Sequence, residues 1–214
     1  MKFAILCALG VAFVSGTANA TPASCTSELG YRGLQPEQVL PSACRAMGPL
    51  RLGMSYADVI KILNVPDASM ALGHDEEVLA YALPHIPYPR GRNPSATADP
   101  SNGFLRIILD KGKVVDLTAL GNGSSAAPYT VGDIAIGEPV NRLLRSITAP
   151  PLWNTSQDNV ILGAYPIEVG LDENTHQLIS INIFTSWKDE GGPYPVFRDG
   201  AICLDGRAGI ACPR

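Results

Sequence analysis

The sequence is poor in the patterns that build metal sites and nucleophilic sites. Its three histidines, His74, His85 and His176, stand far apart, and none occurs in a zinc spacing such as H-E-x-x-H. No G-x-S-x-G motif is present that would place a serine on a sharp turn. Residues 121–126 formally fit a dinucleotide-binding motif, but Pro128 follows where a helix would have to open. We therefore expect that the protein is not an enzyme and that it uses no metal or cofactor.

Positive charge is also scarce. The chain has 16 lysines and arginines against 20 aspartates and glutamates, which gives a net charge of −4, and its basic residues do not cluster. Partners such as nucleic acids and anionic membrane surfaces require clustered basic residues. The composition therefore argues against both, and a partner is expected to be another protein.

Long apolar runs are absent after the first twenty residues. Lys2 precedes an apolar run at 3–14, and Ala18-Asn19-Ala20 fits an A-x-A cleavage site. The run is too short to span a bilayer core of about 30 Å. A lipid anchor on Cys25 is rejected because a proline occupies the third position before it. The sequence predicts a signal peptide cleaved after Ala20, a periplasmic or secreted location and no transmembrane segment.

Four cysteines remain after this cleavage, Cys25, Cys44, Cys203 and Cys212. An even number of cysteines in an exported chain indicates two disulfides, for which three connectivities are possible. Pairing Cys25 with Cys44 and Cys203 with Cys212 closes one local loop at each end of the chain, and this is the pattern that we favour.

The sequence shows internal similarity. Gly53 and Pro66 recur at the same spacing as Gly137 and Pro150, and each pair encloses a short helix pattern that is followed by strand patterns. The predicted strands lie at 77–83, 104–109 and 113–120 in the first copy, and at 160–165, 167–171 and 178–185 in the second. The expected fold class is α+β: two tandem units, each a helix plus an antiparallel β-meander, with the helices on one face of a concave sheet.

These patterns divide the chain into six parts. They are the signal peptide (1–20), an N-terminal segment with a disulfide (21–48), a first repeat unit (49–120) with an inserted proline-rich loop (84–103), a linker (121–131), a second repeat unit (132–186) and a C-terminal tail with a disulfide (187–214).

The motifs of the first copy resemble a known family. The residues at 52–59 and 63–66, Tyr81 and the hairpin around 110–114 are similar to the SmpA/OmlA (BamE-like) family of outer-membrane lipoproteins. Two such units in tandem resemble the β-lactamase inhibitory protein architecture. This resemblance implies a concave sheet that grips a partner protein, although a shared fold does not fix the partner.

Strand alternation then selects the residues of the binding face. Tyrosine and arginine concentrate binding energy at interfaces, so they are the central candidates. Arg90, Arg92 and Tyr88 of the inserted loop are expected at the rim, and Trp153 and Trp187 are further candidate anchors. The predicted partner-binding residues are Tyr81, Arg106, Asp116, Tyr165, Glu168, Asn182, Tyr88, Arg90 and Arg92, with Thr118 and Ser180 on the same face.

The sequence leaves three functions open. The first is an inhibitor or immunity-type protein that blocks a partner enzyme or toxin with its sheet face. The second is an envelope accessory factor in outer-membrane assembly or stability, and the third is an enzyme of unrecognised type.

Overall fold

The computed structural model describes residues 24–30, 38–73, 75–85, 98–188, 192–206 and 209–212. The predicted signal peptide and the rim candidates Tyr88, Arg90 and Arg92 lie outside these residues. Within the described ranges, no helix is long and apolar enough to cross a membrane.

One antiparallel sheet of eight strands dominates the structure. It follows a small hairpin formed by β1 (Ala46–Met47) and β2 (Leu50–Arg51). Its strand order is β3-β4-β5-β6-β10-β9-β8-β7, so that β6 and β10 pair at the centre while β3 and β7 form the two edges. The eight strands are β3 (Ala68–Gly73), β4 (Glu76–Ala82), β5 (Phe104–Asp110), β6 (Lys113–Leu120), β7 (Pro151–Trp153), β8 (Asn159–Leu162), β9 (Ile167–Leu171) and β10 (Leu178–Phe184).

The helices are short and have clear end signals. They are α1 (Cys25–Glu28), α2 (Tyr56–Leu63) and α3 (Val140–Ser146). At the start of α2, the Ser55 hydroxyl oxygen accepts a hydrogen bond from the backbone N–H of Asp58 at 3.2 Å, which satisfies a donor that the first turn leaves free. Asn64 ends this helix in the left-handed region with φ of 65°. Pro139 stands directly before α3, where its fixed φ suits the entry into the helix.

The apolar core lies between the sheet and helices α2 and α3. Val59, Leu63 and Leu143 on the helices pack with the sheet residues that alternate towards them. Burying one such Leu, Ile or Val side chain contributes about 1.5–3 kcal/mol, so this face contributes strongly to the stability of the fold. The sheet residues on this face include Leu79, Leu105, Ile107, Leu117, Ala119, Val160, Leu162, Ile167, Val169, Ile181 and Ile183.

A second sheet covers part of the opposite face. It consists of β11 (Tyr194–Arg198), β12 (Ala201–Gly206) and β13 (Gly209–Ala211), and it packs on β3, β4 and β5. Ile202 and Leu204 of β12 belong to one buried cluster with Val78 and Ala80 of β4. The eight-stranded sheet is therefore buried on both faces in this region.

Disulfides close both ends of the described chain. Cys25 pairs with Cys44 and Cys203 pairs with Cys212, which is the local pattern that the sequence favours. The second disulfide joins the strand β12 to the residue that follows β13. Stable disulfides form in oxidising compartments, so they support an exported protein.

The predicted fold class is wrong. The described chain is mostly β, with one large eight-stranded antiparallel sheet and three short α-helices, and it does not form two helix-plus-meander units. The reason lies at the centre, where β6 and β10 pair over five residues and join all eight strands into a single sheet. The prediction also missed the edge strands β3 and β7 and the whole covering sheet β11–β13.

Candidate functional site

A row of residues crosses all eight strands in register on the face opposite the helices. Each residue of the row pairs with the next residue of the row, which lies on the adjacent strand. We call it the cross-strand row and divide it between β6 and β10. Its covered half is Ala68, Ala80, Arg106 and Thr118, and its open half is Asn182, Glu168, Ile161 and Leu152.

The covered half is built around a buried ion pair. Arg106 and Asp116 are both fully buried, and Nη2 of Arg106 donates to the two carboxylate oxygens of Asp116 at 3.2 and 3.3 Å. The same nitrogen lies 3.0 Å from the Thr118 hydroxyl. Above the pair, the guanidinium carbon lies 4.3 Å from the centre of the Tyr194 ring on β11. A buried cation is thus balanced by one carboxylate and one aromatic face.

This network continues across the central strand pair. The Thr118 hydroxyl lies 3.0 Å from Asp116 Oδ1 and 3.1 Å from Asn182 Oδ1, and its single proton can go to either acceptor. Arg106 keeps Nε and Nη1 without an acceptor among the described residues. A buried donor without a partner costs about 1–3 kcal/mol, so these two nitrogens offset part of the stability that the ion pair contributes.

The open half begins at Asn182 and becomes more exposed towards the edge strand. Asn182 is only 7% exposed, Glu168 and Ile161 are partly exposed, and Leu152 at the edge is 51% exposed. The Asn159 side-chain amide donates to Oε1 of Glu168 and so fixes the direction of that carboxylate.

Beside the open half, Gly170 on β9 pairs with Ser180 on β10, and the space between them admits only a glycine at position 170. A Cβ added to Gly170 would lie 2.3 Å from the Ser180 hydroxyl oxygen. That oxygen instead accepts a hydrogen bond from the Gly170 backbone N–H at 3.1 Å. Glycine at this position lets the Ser180 side chain lie against the backbone of β9. No side chain of residue 170 therefore projects beside Glu168.

Two acidic turns adjoin the open half at one end. Hydrogen bonds from the Asn154 and Ser156 side chains lower the pKa of Asp158. The backbone N–H and the hydroxyl of Thr175 lower the pKa of Asp172. The two turns are joined by a hydrogen bond of 2.7 Å from the Leu171 N–H to the Asp158 carbonyl. Both carboxylates are therefore ionised at neutral pH.

The structure moves two of the predicted residues to the other face. Tyr81 and Tyr165 are buried in the core beneath the helices, where their hydroxyls donate to the carbonyls of Asn64 and Gly30 at 3.1 and 2.9 Å. Burial raises the pKa of Tyr81. Tyr81 lies on the face opposite to Arg106 because Ala80, and not Tyr81, is the residue that pairs with Arg106.

The remaining predicted residues divide between the two halves. Arg106 and Asp116 lie on the predicted face but are fully buried, with Arg106 against the Tyr194 ring of β11, so no partner can contact them in this conformation. Glu168 and Asn182 belong to the open half, with Ser180 beside them. Leu152, Ile161 and Tyr194 were missed as site residues. The alternation in β8 could have indicated Ile161, whereas β7 is too short to show a pattern.

Comparisons with known proteins give little overlap. No family model matches the chain, and no curated protein matches it. One similar solved structure is a cysteine-rich secretory protein from Staphylococcus aureus, with 10% identity, a TM-score of 0.41 and coverage of 63% of this chain and 44% of that chain. Another is an extracellular protein containing an SCP domain from Bacillus anthracis, with 11% identity, a TM-score of 0.39 and coverage of 70% and 49%. The chain spans less than half the length of each, and neither likeness bears on its activity.

The resemblance to the SmpA/OmlA (BamE-like) family and to the β-lactamase inhibitory protein architecture is corrected by these findings. No family model matches the chain, and its strands form one eight-stranded sheet instead of two tandem helix-plus-meander units. The short motifs that suggested it, a glycine before α2 and a proline after it, are general helix-end signals that many folds share.

Proposed function

We propose that this chain is an exported protein-binding module, and that the open half of the cross-strand row is its binding surface. The proposal is supported by the fact that the covering sheet lies over only one half of this face. The sheet β11–β13 packs on β3–β5, whereas Leu152, Ile161 and Glu168 of the open half keep part of their surface in solvent. An apolar edge beside fixed polar groups is the usual composition of a protein interface.

The backbone beneath this surface is held in place by pairing between neighbouring strands. The open half is anchored by the β10–β6 pairing and by the hydrogen bond between Thr118 and Asn182. A preformed surface loses little conformational freedom when it binds, so a larger share of the contact energy becomes affinity.

Binding by the face is favoured over addition of a strand at the edge. The strand β7 begins with Pro151, which has no backbone N–H to offer to an incoming strand. Leu152 and Trp153 are nevertheless 51% and 41% exposed. These side chains are therefore available to a partner that packs against the faces of the strand.

The narrowest form of the proposal is an inhibitor or immunity-type protein that blocks an exported enzyme or toxin, and not an enzyme itself. An interface of standard size buries about 800 Å² on each partner, which suffices to obstruct an active-site cleft. This form is tested by the activity of the captured partner, because an inhibitor abolishes that activity at stoichiometric amounts.

The experiment captures partners on the immobilised full chain from the exported fraction of the producing cell and measures their affinity for two variants. Leu152→Asp places a charge at the apolar edge of the open half and should weaken binding about tenfold or more. Val65→Asp is the matched control, since Val65 is 78% exposed and lies after α2, away from the open half. Equal affinity of both variants and the unmodified chain would exclude the open half as the surface.

A further inference from the structure

The ion pair of the covered half leaves part of the Arg106 guanidinium unused. Its Nη2 contacts Asp116 and Thr118, whereas Nε and Nη1 are buried and have no acceptor among the described residues. Buried N–H groups are rarely left in this state, because each loses its hydrogen bonds to water and gains none in return. The fully covered conformation is therefore a costly one for the Arg106 side chain.

The group that covers the guanidinium is a half-exposed aromatic ring. The centre of the Tyr194 ring lies 4.3 Å from Cζ of Arg106, and Tyr194 is 52% exposed although Arg106 is fully buried. Tyr81 and Tyr165 differ, since they are buried in the core and their hydroxyls donate to backbone carbonyls. Exposed side chains change rotamer within nanoseconds, so the Tyr194 ring can move without opening the core.

The backbone that carries Tyr194 is held more firmly than its ring. The residues of β11 pair in register with those of β12. Pro195, directly after Tyr194, is buried, and its pairing partner Leu204 is fully buried in the cluster that joins β12 to β4. A movement at this place therefore involves the Tyr194 side chain and not the whole covering sheet.

From these features we propose that the Tyr194 ring is a gate over Arg106, which swings away while both sheets stay folded and brings Nε and Nη1 into contact with solvent. Hydration of these two N–H groups offsets the loss of the contact between the ring and the cation. The Thr118 hydroxyl lies within hydrogen-bond distance of both Arg106 and Asn182. An open gate thus adds a cationic donor beside the open half, and only this consequence rests on the proposed function.

Hydrogen exchange of the Arg106 Nε–H tests the gate, followed by nuclear magnetic resonance on the isotope-labelled full chain. Its rate is compared with that of the Ile107 backbone N–H on the same strand, each relative to the rate of the unprotected group. Through the gate, the Nε–H should exchange at least about 100-fold faster than the Ile107 N–H. Its rate should also stay constant at low urea concentrations, because a swinging ring exposes little surface.

Two variants of the gate sharpen this test. Tyr194→Ala removes the ring and should raise the exchange rate of the Arg106 Nε–H about tenfold or more. Tyr194→Phe is the matched control, because it keeps the ring, and it should leave the rate within about twofold of that of the unmodified chain. Equal rates in the two variants would contradict the assignment of the gate to the ring.

Two further outcomes would overturn the proposal. An Nε–H that exchanges as slowly as the Ile107 N–H, with the same urea dependence, would show that only global unfolding exposes Arg106. Exchange of the Nε–H and the Val196 backbone N–H at one common rate, with the same rise in urea, would show that the covering sheet opens as a unit. Neither outcome bears on the open half as a binding surface, which the affinity of Leu152→Asp tests separately.

Discussion

The two halves of the cross-strand row lie on the same face of one sheet, but they differ in side-chain size and in exposure to solvent. The covered half places Ala68 and Ala80 at the positions where the open half has Leu152 and Ile161, counted from each edge. Small residues let the covering sheet β11–β13 approach closely, and the chain fills that side with its own Ile202 and Leu204. Larger apolar side chains on the other half remain partly in solvent.

The charged residues of the row differ in the same way. Arg106 is fully buried and is contacted by Asp116 and Tyr194 from within the chain. Glu168 stands at the equivalent place in the open half and is partly exposed. The covering sheet β11–β13 thus buries the covered half from within the chain, and we expect a partner protein to cover the open half in the same way.

The largest expected effect comes from breaking the buried ion pair. Asp116→Ala leaves the Arg106 charge buried without its carboxylate and should lower the free energy of unfolding by about 3–5 kcal/mol. Glu168→Ala, at the equivalent place in the open half, should change it by less than about 1 kcal/mol. Urea denaturation of both variants measures the difference. Similar losses for the two variants would contradict the division of the row into halves.

Removing the disulfide of the covering sheet should give the next largest effect. The pair Cys203→Ser and Cys212→Ser opens a short loop, for which chain entropy predicts a loss of about 2–3 kcal/mol. Hydrogen exchange should then become faster in β3 and β4, which the covering sheet protects, and stay unchanged in β8 and β9. Faster exchange in all four strands to the same degree would show that the covering sheet does not act on one half alone.

A smaller effect is expected from the ring above the buried cation. Tyr194→Ala removes the contact between the ring and Arg106 and should cost about 1–2 kcal/mol, since the ring is half exposed. Tyr194→Phe keeps the aromatic face and should cost little. Thermal unfolding of both variants compares them, and equal losses would assign the stabilisation to the hydroxyl instead of the ring.

The smallest effect concerns the attachment of the N-terminal segment and depends on pH. Burial by itself would raise the pKa of Asp133, but hydrogen bonds from the Thr26 side chain and backbone N–H outweigh it and lower the pKa. A lowered folded-state pKa means that the ionised carboxylate stabilises the fold above its unfolded value of 3.8 and that this contribution is lost as the pH falls through the folded value.

Asp133→Asn should therefore lower the unfolding free energy at neutral pH, by about 1 kcal/mol after allowance for solvent screening of this exposed group. The difference from the unmodified chain should shrink as the pH is lowered below about 4. A difference that stays constant between pH 7 and pH 3 would contradict the assignment to the ionised carboxylate.

Several elements of the sheet could be predicted from the sequence. The strand β6 spans the predicted residues, and Ile181 and Ile183 of β10 face the helices as the alternation in that strand indicates. These strands are long enough for a two-residue period to appear. The turn between β5 and β6 has its own signal, because Lys111 and Gly112 both adopt positive φ.

The candidate site was less predictable. Tyr81 was assigned to the wrong face because β4 is buried on both sides, so its run of apolar residues shows no alternation. The burial of Arg106 depends on Tyr194, and nothing in the local sequence of either residue indicates that they meet. Residues 187–214 were predicted as a tail, and only the tertiary packing of β12 on β4 shows that they cover the face.

Binding through the open half is tested most directly by a photocrosslinking amino acid placed at single positions of the full chain in the presence of its captured partner. Crosslinks from position 161 in the open half, with none from position 65 after α2 or position 76 on β4, are the expected result. Crosslinks from positions 65 or 76, without any from position 161, would show that the partner binds elsewhere and would contradict the proposed binding surface.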